Sequence, residues 1–393
     1  ETAVADAFAA TQAADEARTA AAATDSTADD AVAATAFAAA VASAASADVA
    51  LVAATDEVES AASTVVANGQ TFTLTEGVDR GVDFTGTVAN DTFNAYDLDA
   101  STPTLTALDV IEGGSGTDTL NIAALGTAWV ASTSATVRNV EVANVVGVDD
   151  ITVDATDWSG LQTLNATGSV DATLTAAETT DVTVADATGA VSVTGGADVT
   201  VADSTGTITV DGAAGAVSVA DAAGVVTIDG GADVTVSGVA GMDATIGSTT
   251  AATGNITLTH AAQGTSVINV DGGVDVNVTA EGVTTGTISV GKDATPILPT
   301  GAITVTQTGA DYTAATANTL GDINIAGGTT VNVTQVASSD TTAAEEEGAL
   351  PQDTTLGDVT VTGGEATTSV TVTQDAPNDA VQYVAATDET PAT

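Results

Sequence analysis

Gly113-Gly114-Ser115-Gly116-Thr117-Asp118-Thr119-Leu120 has the residue types and spacing of a turn that can hold a hard cation. Glycines let the backbone curl so that carbonyl oxygens converge, Asp118 adds a carboxylate oxygen, and Leu120 opens an apolar alternation that would pin the turn to a core. The string matches the nonapeptide G-G-x-G-x-D-x-U, where U is a large apolar residue. The same residues also suit a plain corner between two strands. A second copy precedes it, Gly86-Thr87-Val88-Ala89-Asn90-Asp91-Thr92-Phe93, with Thr87 and Ala89 where the pattern has glycine. Aligning Asp91 with Asp118 sets Phe93 over Leu120 and Asn94 over Asn121 at an offset of 27 residues, three nonapeptides. That agreement favours calcium over a chance match. It places Gly86, Asn90, Asp91, Gly113, Gly114, Gly116 and Asp118 in one stacked turn system, whose two degenerate copies make as few as one shared Ca2+ site.

Two further turns, Asp229-Gly-Gly-Ala-Asp233 and Asp271-Gly-Gly-Val-Asp275, each set two carboxylates across a Gly-Gly corner. Either pair suits Ca2+, and either suits Asp side chains capping their own turns through nearby backbone amides. Stacking tilts the balance, because carboxylates repeated along one edge repel one another unless a cation lies between them. The whole chain shares this strain. It has 393 residues, 53 acidic against 4 basic side chains, and a formal net charge of -49. Arg18, Arg80, Arg138 and Lys292 are too few to meet nucleic-acid phosphates or an anionic membrane surface.

Catalysis has little to stand on. His260 is the single histidine, in the strand-like ITLTHAAQG, and cysteine is absent, so Ser-His and Cys-His chemistry are disfavoured. A polysaccharide-cleaving β-helix enzyme with paired carboxylates would need aromatic platforms. Trp129, Trp158, Tyr96, Tyr312 and Tyr383 are scattered. The reading is of a protein that is not an enzyme.

The elements that must position these turns are strands. Hydrophobic residues make up 44% of the chain but aromatics only 3%, which suits thin repeated layers of Ala, Val, Ile and Leu. Between Asp181 and Gly238 the chain runs DVTVADATG, AVSVTGGA, DVTVADSTG, TITVDGAAG, AVSVADAAG, VVTIDGGA, DVTVSG. Val or Ile points one way and Thr or Ser the other, and Asp, Ala and Gly then turn the chain. Two such units make about 18 residues, the coil of a two-strand β-roll; an antiparallel meander fits the same lengths. A strand–Gly-Gly–strand module recurs five times, at 191–201, 226–236, 268–278, 323–333 and 359–372. Surface loops are expected at 292–299 and 338–351.

Residues 1–66 differ in kind: alanine dominates, glycine and proline are absent, and an Ala-rich α-helical segment is predicted there. A calcium-binding β region is predicted over 67–180 and a repetitive β region over 181–393. No run is apolar for the roughly 18 residues a membrane span needs, so the chain is not expected to span a membrane. It begins with Glu and carries no charged n-region before an apolar run, so it reads as processed or as a segment of something longer.

The stretches TFTLTEGVDRGVDFTGTVANDTFNA at 71–95 and TLTALDVIEGGSGTDTLNIA at 104–123 resemble secreted bacterial surface-layer proteins with repeats-in-toxin type motifs. The Thr/Val/Ala/Asp/Gly repeats downstream share the resemblance in composition. It implies a right-handed parallel β-solenoid, export without a cleaved N-terminal signal, and Ca2+-dependent self-assembly into an extracellular lattice on the cell surface. The partner would be further copies of the chain, with a cell-surface polysaccharide as an additional candidate. The alternative is a filament or adhesin of the same stacked repeats.

Overall fold

The structure, a computed structural model, describes residues 68–97, 103–292, 297–310, 319–337 and 355–376. The helical segment expected over 1–66, the loop at 338–351 and part of the loop at 292–299 lie outside them. The chain divides into two compact units, Glu1–Gln70 with Gly86–Asn90, and Thr71–Thr85 with Asp91–Thr393. In the smaller unit Gly69 adopts φ +64, and a Cβ there would lie 2.1 Å from the Asn90 carbonyl oxygen, so only glycine fits.

The larger unit is a parallel β-solenoid. Its strands form one sheet of 14 and one of 11, with a small two-stranded sheet beside them. Pairings among the described residues are parallel, which excludes the meander. From Val142–Gly147 onward, successive strands alternate between the two large sheets. Asp181–Ala185 lies in the first, Val191–Gly195 in the second, Val199–Ala202 in the first again. One coil therefore takes 17 to 18 residues in this region.

Period-two alternation makes this possible, because each inward Val or Ile meets its counterpart one coil away. Val182, Val199, Val217, Val234, Ile256, Val276, Ile303 and Val331 form one buried column. Burying each such side chain is worth about 1.5–3 kcal/mol, and the gain recurs at every coil, so stability is spread along the axis. The outward residues stack as well. Asn165, Asn144, Asn121 and Asn94 form a ladder in which each amide Nδ2 donates to the Oδ1 of the residue before it, at 2.9 to 3.1 Å.

The first coils are longer, with steps of 27, 23 and 21 residues along the Asn ladder, and they enclose a third side. Val110–Glu112 pairs with Thr136–Arg138, and bridges to Thr85 and Ser159 extend that column before it ends. Trp129 and Trp158 are buried in this wider part of the interior. At the other end a second ladder forms inside a corner. Gln335 Nε2 donates to Gln307 Oε1 at 2.7 Å and to the Gly321 carbonyl, and Gln374 repeats the pattern on Gln335 and Gly357. Four of the Gly-Gly corners, at 195–196, 230–231, 272–273 and 327–328, have both glycines at positive φ. At Gly231 a Cβ would lie 2.9 Å from the Val217 side chain as well.

Candidate functional site

Asp91 and Asp118 occupy equivalent places in successive coils, just before the strands Thr92–Asp97 and Thr119–Ala124. The register sets Phe93 against Leu120 and Asn94 against Asn121, the alignment expected from the nonapeptides. The Asp91 amide donates to Asp118 Oδ1 at 2.7 Å, and the Asp91 carbonyl accepts from Thr119 N at 2.9 Å. Asp118 repeats this one coil on: its amide donates to Glu141 Oε2 at 2.7 Å. Glu141 is a member the sequence reading missed. Its signal was available in the 23-residue step of the Asn ladder, which carries position 118 onto 141.

Asp118 is fully buried, and its Oδ2 has no hydrogen-bond partner among the described residues. That oxygen lies against Gly113, where a Cβ would come within 2.5 Å of it and within 1.7 Å of the Asn139 carbonyl oxygen. Gly114 and Gly116 adopt φ +102 and +125, so the turn depends on glycine at both. Burial raises the Asp118 carboxyl to about 6; the negative charges of Asp91 and Glu141 add to the rise, and the hydrogen bond from the Asp91 amide opposes it. A dry carboxylate with one unused oxygen among other acids is an arrangement that a cation would relieve.

Gly86 and Asn90 belong to the smaller unit. Among the described residues no group of three or more His, Asp or Glu has metal-holding geometry. A cation at Asp118 would therefore draw most of its oxygens from backbone carbonyls of the glycine turn, which Ca2+ accepts readily.

The downstream acids work on amides. Asp229 Oδ1 accepts from Thr249 N at 2.7 Å and Thr250 N at 3.3 Å. Asp233 Oδ1 takes Asn255 N and Asp275 Oδ1 takes Ala302 N, each at 2.7 Å. Asp271 is buried, with its amide bonded to the Ile246 carbonyl. The same device recurs elsewhere: Asp198 takes Ala216 N, Asp171 takes Ala190 N and Asp243 takes Val267 N. Apart from that of Asp271, each of these carboxylates caps an amide of the following coil, so part of the acidity is spent stitching coils together.

Three other buried acids are satisfied by the protein itself. Asp79 accepts from Thr75 N and Oγ1, Asp109 from Thr106 N and Oγ1, and the Asp79 amide donates to Asp109 Oδ1 at 2.9 Å. Asp97 holds Thr104 and the Trp129 indole. Unlike these three, Asp118 keeps a carboxylate oxygen that the described residues do not use.

His260 ends the strand Ile256–His260 and is fully buried. Nε2 lies 3.0 Å from the Met242 carbonyl and Nδ1 accepts from Ala262 N, so the ring is neutral with its proton on Nε2. Burial lowers its pKa.

These features define the class: an acidic parallel β-solenoid with a glycine turn closed on a buried carboxylate. No family model and no curated protein matches the chain. Among the described residues no helix is long and apolar enough to cross a membrane.

Proposed function

We propose that this is a structural cell-surface protein that self-assembles into an extracellular lattice stabilised by Ca2+. The single observation carrying the calcium part is Asp118: fully buried, with Oδ2 unused and facing Gly113. Asp118 and carbonyls of the Gly113–Gly116 turn would hold the ion, whose charge would neutralise that carboxylate and lock successive coils. The residues fit such an ion in kind, since carboxylate and carbonyl oxygens are its preferred donors. The net charge of -49 supports a role for cations in bringing copies together. A repetitive solenoid of small side chains supports a mechanical role, and a cell-surface polysaccharide is the proposed anchor.

Dialysis against a chelator, followed by electron microscopy and circular dichroism, tests this reading. Assemblies should disperse and return when Ca2+ is restored; unchanged assemblies and spectra would sink the calcium part. The second reading, a filament or adhesin, is favoured by the exposed strand Ser369–Asp375, which pairs on one edge among the described residues. Images of threads rather than sheets would select it.

A further inference from the structure

The two ends of the 14-stranded sheet are unequal. One inward column runs from Leu74, bonded through its amide to the Asn94 carbonyl, to Val333 and finally Val372. Leu74 is 3% exposed and Val333 1%, whereas Val372 is 43% exposed. In the neighbouring column Val331 is 0% and Val370 48% exposed. The strand Ser369–Asp375 pairs on one edge, with Thr330–Val336, and all seven of its residues are exposed. Val359–Thr362 ends the second sheet and also pairs on one edge among the described residues, but its Val359 and Val361 are partly buried against the core. Among the described residues, this last rung therefore leaves Val370, Val372 and one edge of Ser369–Asp375 uncovered.

We propose that this rung is the interface of a two-fold dimer, in which Ser369–Asp375 pairs antiparallel with the same strand of a second copy. Three observations select that occupant. One end of the sheet has a covered interior column and the other does not, and a single self-complementary patch per copy closes through two-fold symmetry. The run Val370-Thr371-Val372-Thr373-Gln374 keeps its inward–outward alternation when read backwards, as antiparallel self-pairing requires. With the axis at Val372, Thr371 faces Thr373, Val370 faces Gln374 and Asp375 faces Ser369. No acid then opposes an acid, the condition that a charge of -49 places on any self-contact.

The pairing rests on main-chain hydrogen bonds and apolar contact, so it does not depend on the calcium reading and persists in chelator. The test is the mass of the 393-residue chain by light scattering, in chelator and at about 0.15 M salt, where screening falls off over about 8 Å. A dimer is expected. Val370→Lys combined with Val372→Lys should weaken it at least tenfold, with the far-ultraviolet spectrum unchanged because both side chains are exposed in the monomer. The chain has no cysteine, which allows a second measurement. Val372→Cys sits on the axis beside its own mate, where Cβ atoms about 4.5–5.5 Å apart need only a small shift to reach the roughly 3.5–4.5 Å of a disulfide, and it should oxidise to a covalent dimer. Val170→Cys, at an exposed position far along the chain, should stay monomeric. A monomeric parent chain, a dimer indifferent to the lysines, or equal cross-linking at 170 and 372 would overturn the proposal. Loss of calcium-dependent sheets with the dimer intact would count against the lattice alone.

Discussion

The backbone amide of Asp91 and the carboxylate of Asp118 meet at 2.7 Å across 27 residues of chain, so one carboxylate ties two successive coils together. Its Oδ1 serves the fold and its Oδ2 does not. Asp118→Asn keeps the acceptor and removes the desolvated charge. In chelator at pH 7 this variant should be at least as stable as the parent, yet gain nothing on adding Ca2+. Asp118→Ala also strands the Asp91 amide, at about 1–3 kcal/mol. Melting temperatures with and without Ca2+ separate the two effects; equal calcium stabilisation in parent and Asn variant would refute a metal at Asp118.

The pH dependence of that carboxyl has a defined sign. Its folded value, about 6, lies above the ordinary 3.8, so between the two the folded chain binds a proton that the unfolded chain releases. In chelator, its contribution to stability should fall as pH rises from about 4 through 6. Calcium competes with the same proton, so calcium stabilisation should fade below about pH 6. Denaturant midpoints of the parent minus those of Asp118→Asn isolate the effect from the remaining acids.

His260 contributes with the opposite sign. Its pKa is lowered by burial, so as pH falls through 6.5 the unfolded chain takes up the proton first and stability is lost. It is the only histidine, and nitrogen NMR should show one neutral imidazole protonated at Nε2 at pH 7. A doubly protonated ring there would contradict the Met242 and Ala262 contacts.

Much of this was legible beforehand, because the architecture is written in short-range alternation. Val182, Val199 and Val217 repeat at the coil length, and the offset between Asp91 and Asp118 set their register. The residues missed act across coils of unequal length. Glu141 follows Asp118 after 23 residues rather than 27, and Asp97 reaches the Trp129 ring across 32. The choice between parallel coils and a meander was equally hidden, since both bury the same side chains. That the acidic turns also take amides of the next coil, such as Asn255 N on Asp233, carried no sequence signal.

The Gln ladder should behave as one unit. Gln335→Ala removes donors to Gln307 Oε1 and Gly321 O and the acceptor of Gln374, leaving buried groups without partners. A loss of about 1–3 kcal/mol is expected. Hydrogen exchange should quicken around 307, 335 and 374 and hardly change near Asn144, since each coil touches only its neighbours.

Glycines in the turns should differ sharply in tolerance. Gly113→Ala drives a Cβ to 1.7 Å from the Asn139 carbonyl, so the turn must open and melting should fall by many degrees. Gly264→Ala meets nothing within 4 Å and bears only the strain of φ +55, roughly 1–2 kcal/mol. Similar losses in both would show that the 113 turn is not closed as described.

Coil length varies from 17 residues between Asp181 and Asp198 to 39 between Gln335 and Gln374, yet neighbouring strands remain paired throughout. Each coil, short or long, therefore advances the axis by the same ~4.8 Å set by strand spacing. Fourteen rungs measure roughly 60 Å whatever their loops contain. The molecule works as a ruler graduated in rungs: adding residues to a loop changes its outline, and only adding a strand to each sheet changes its reach.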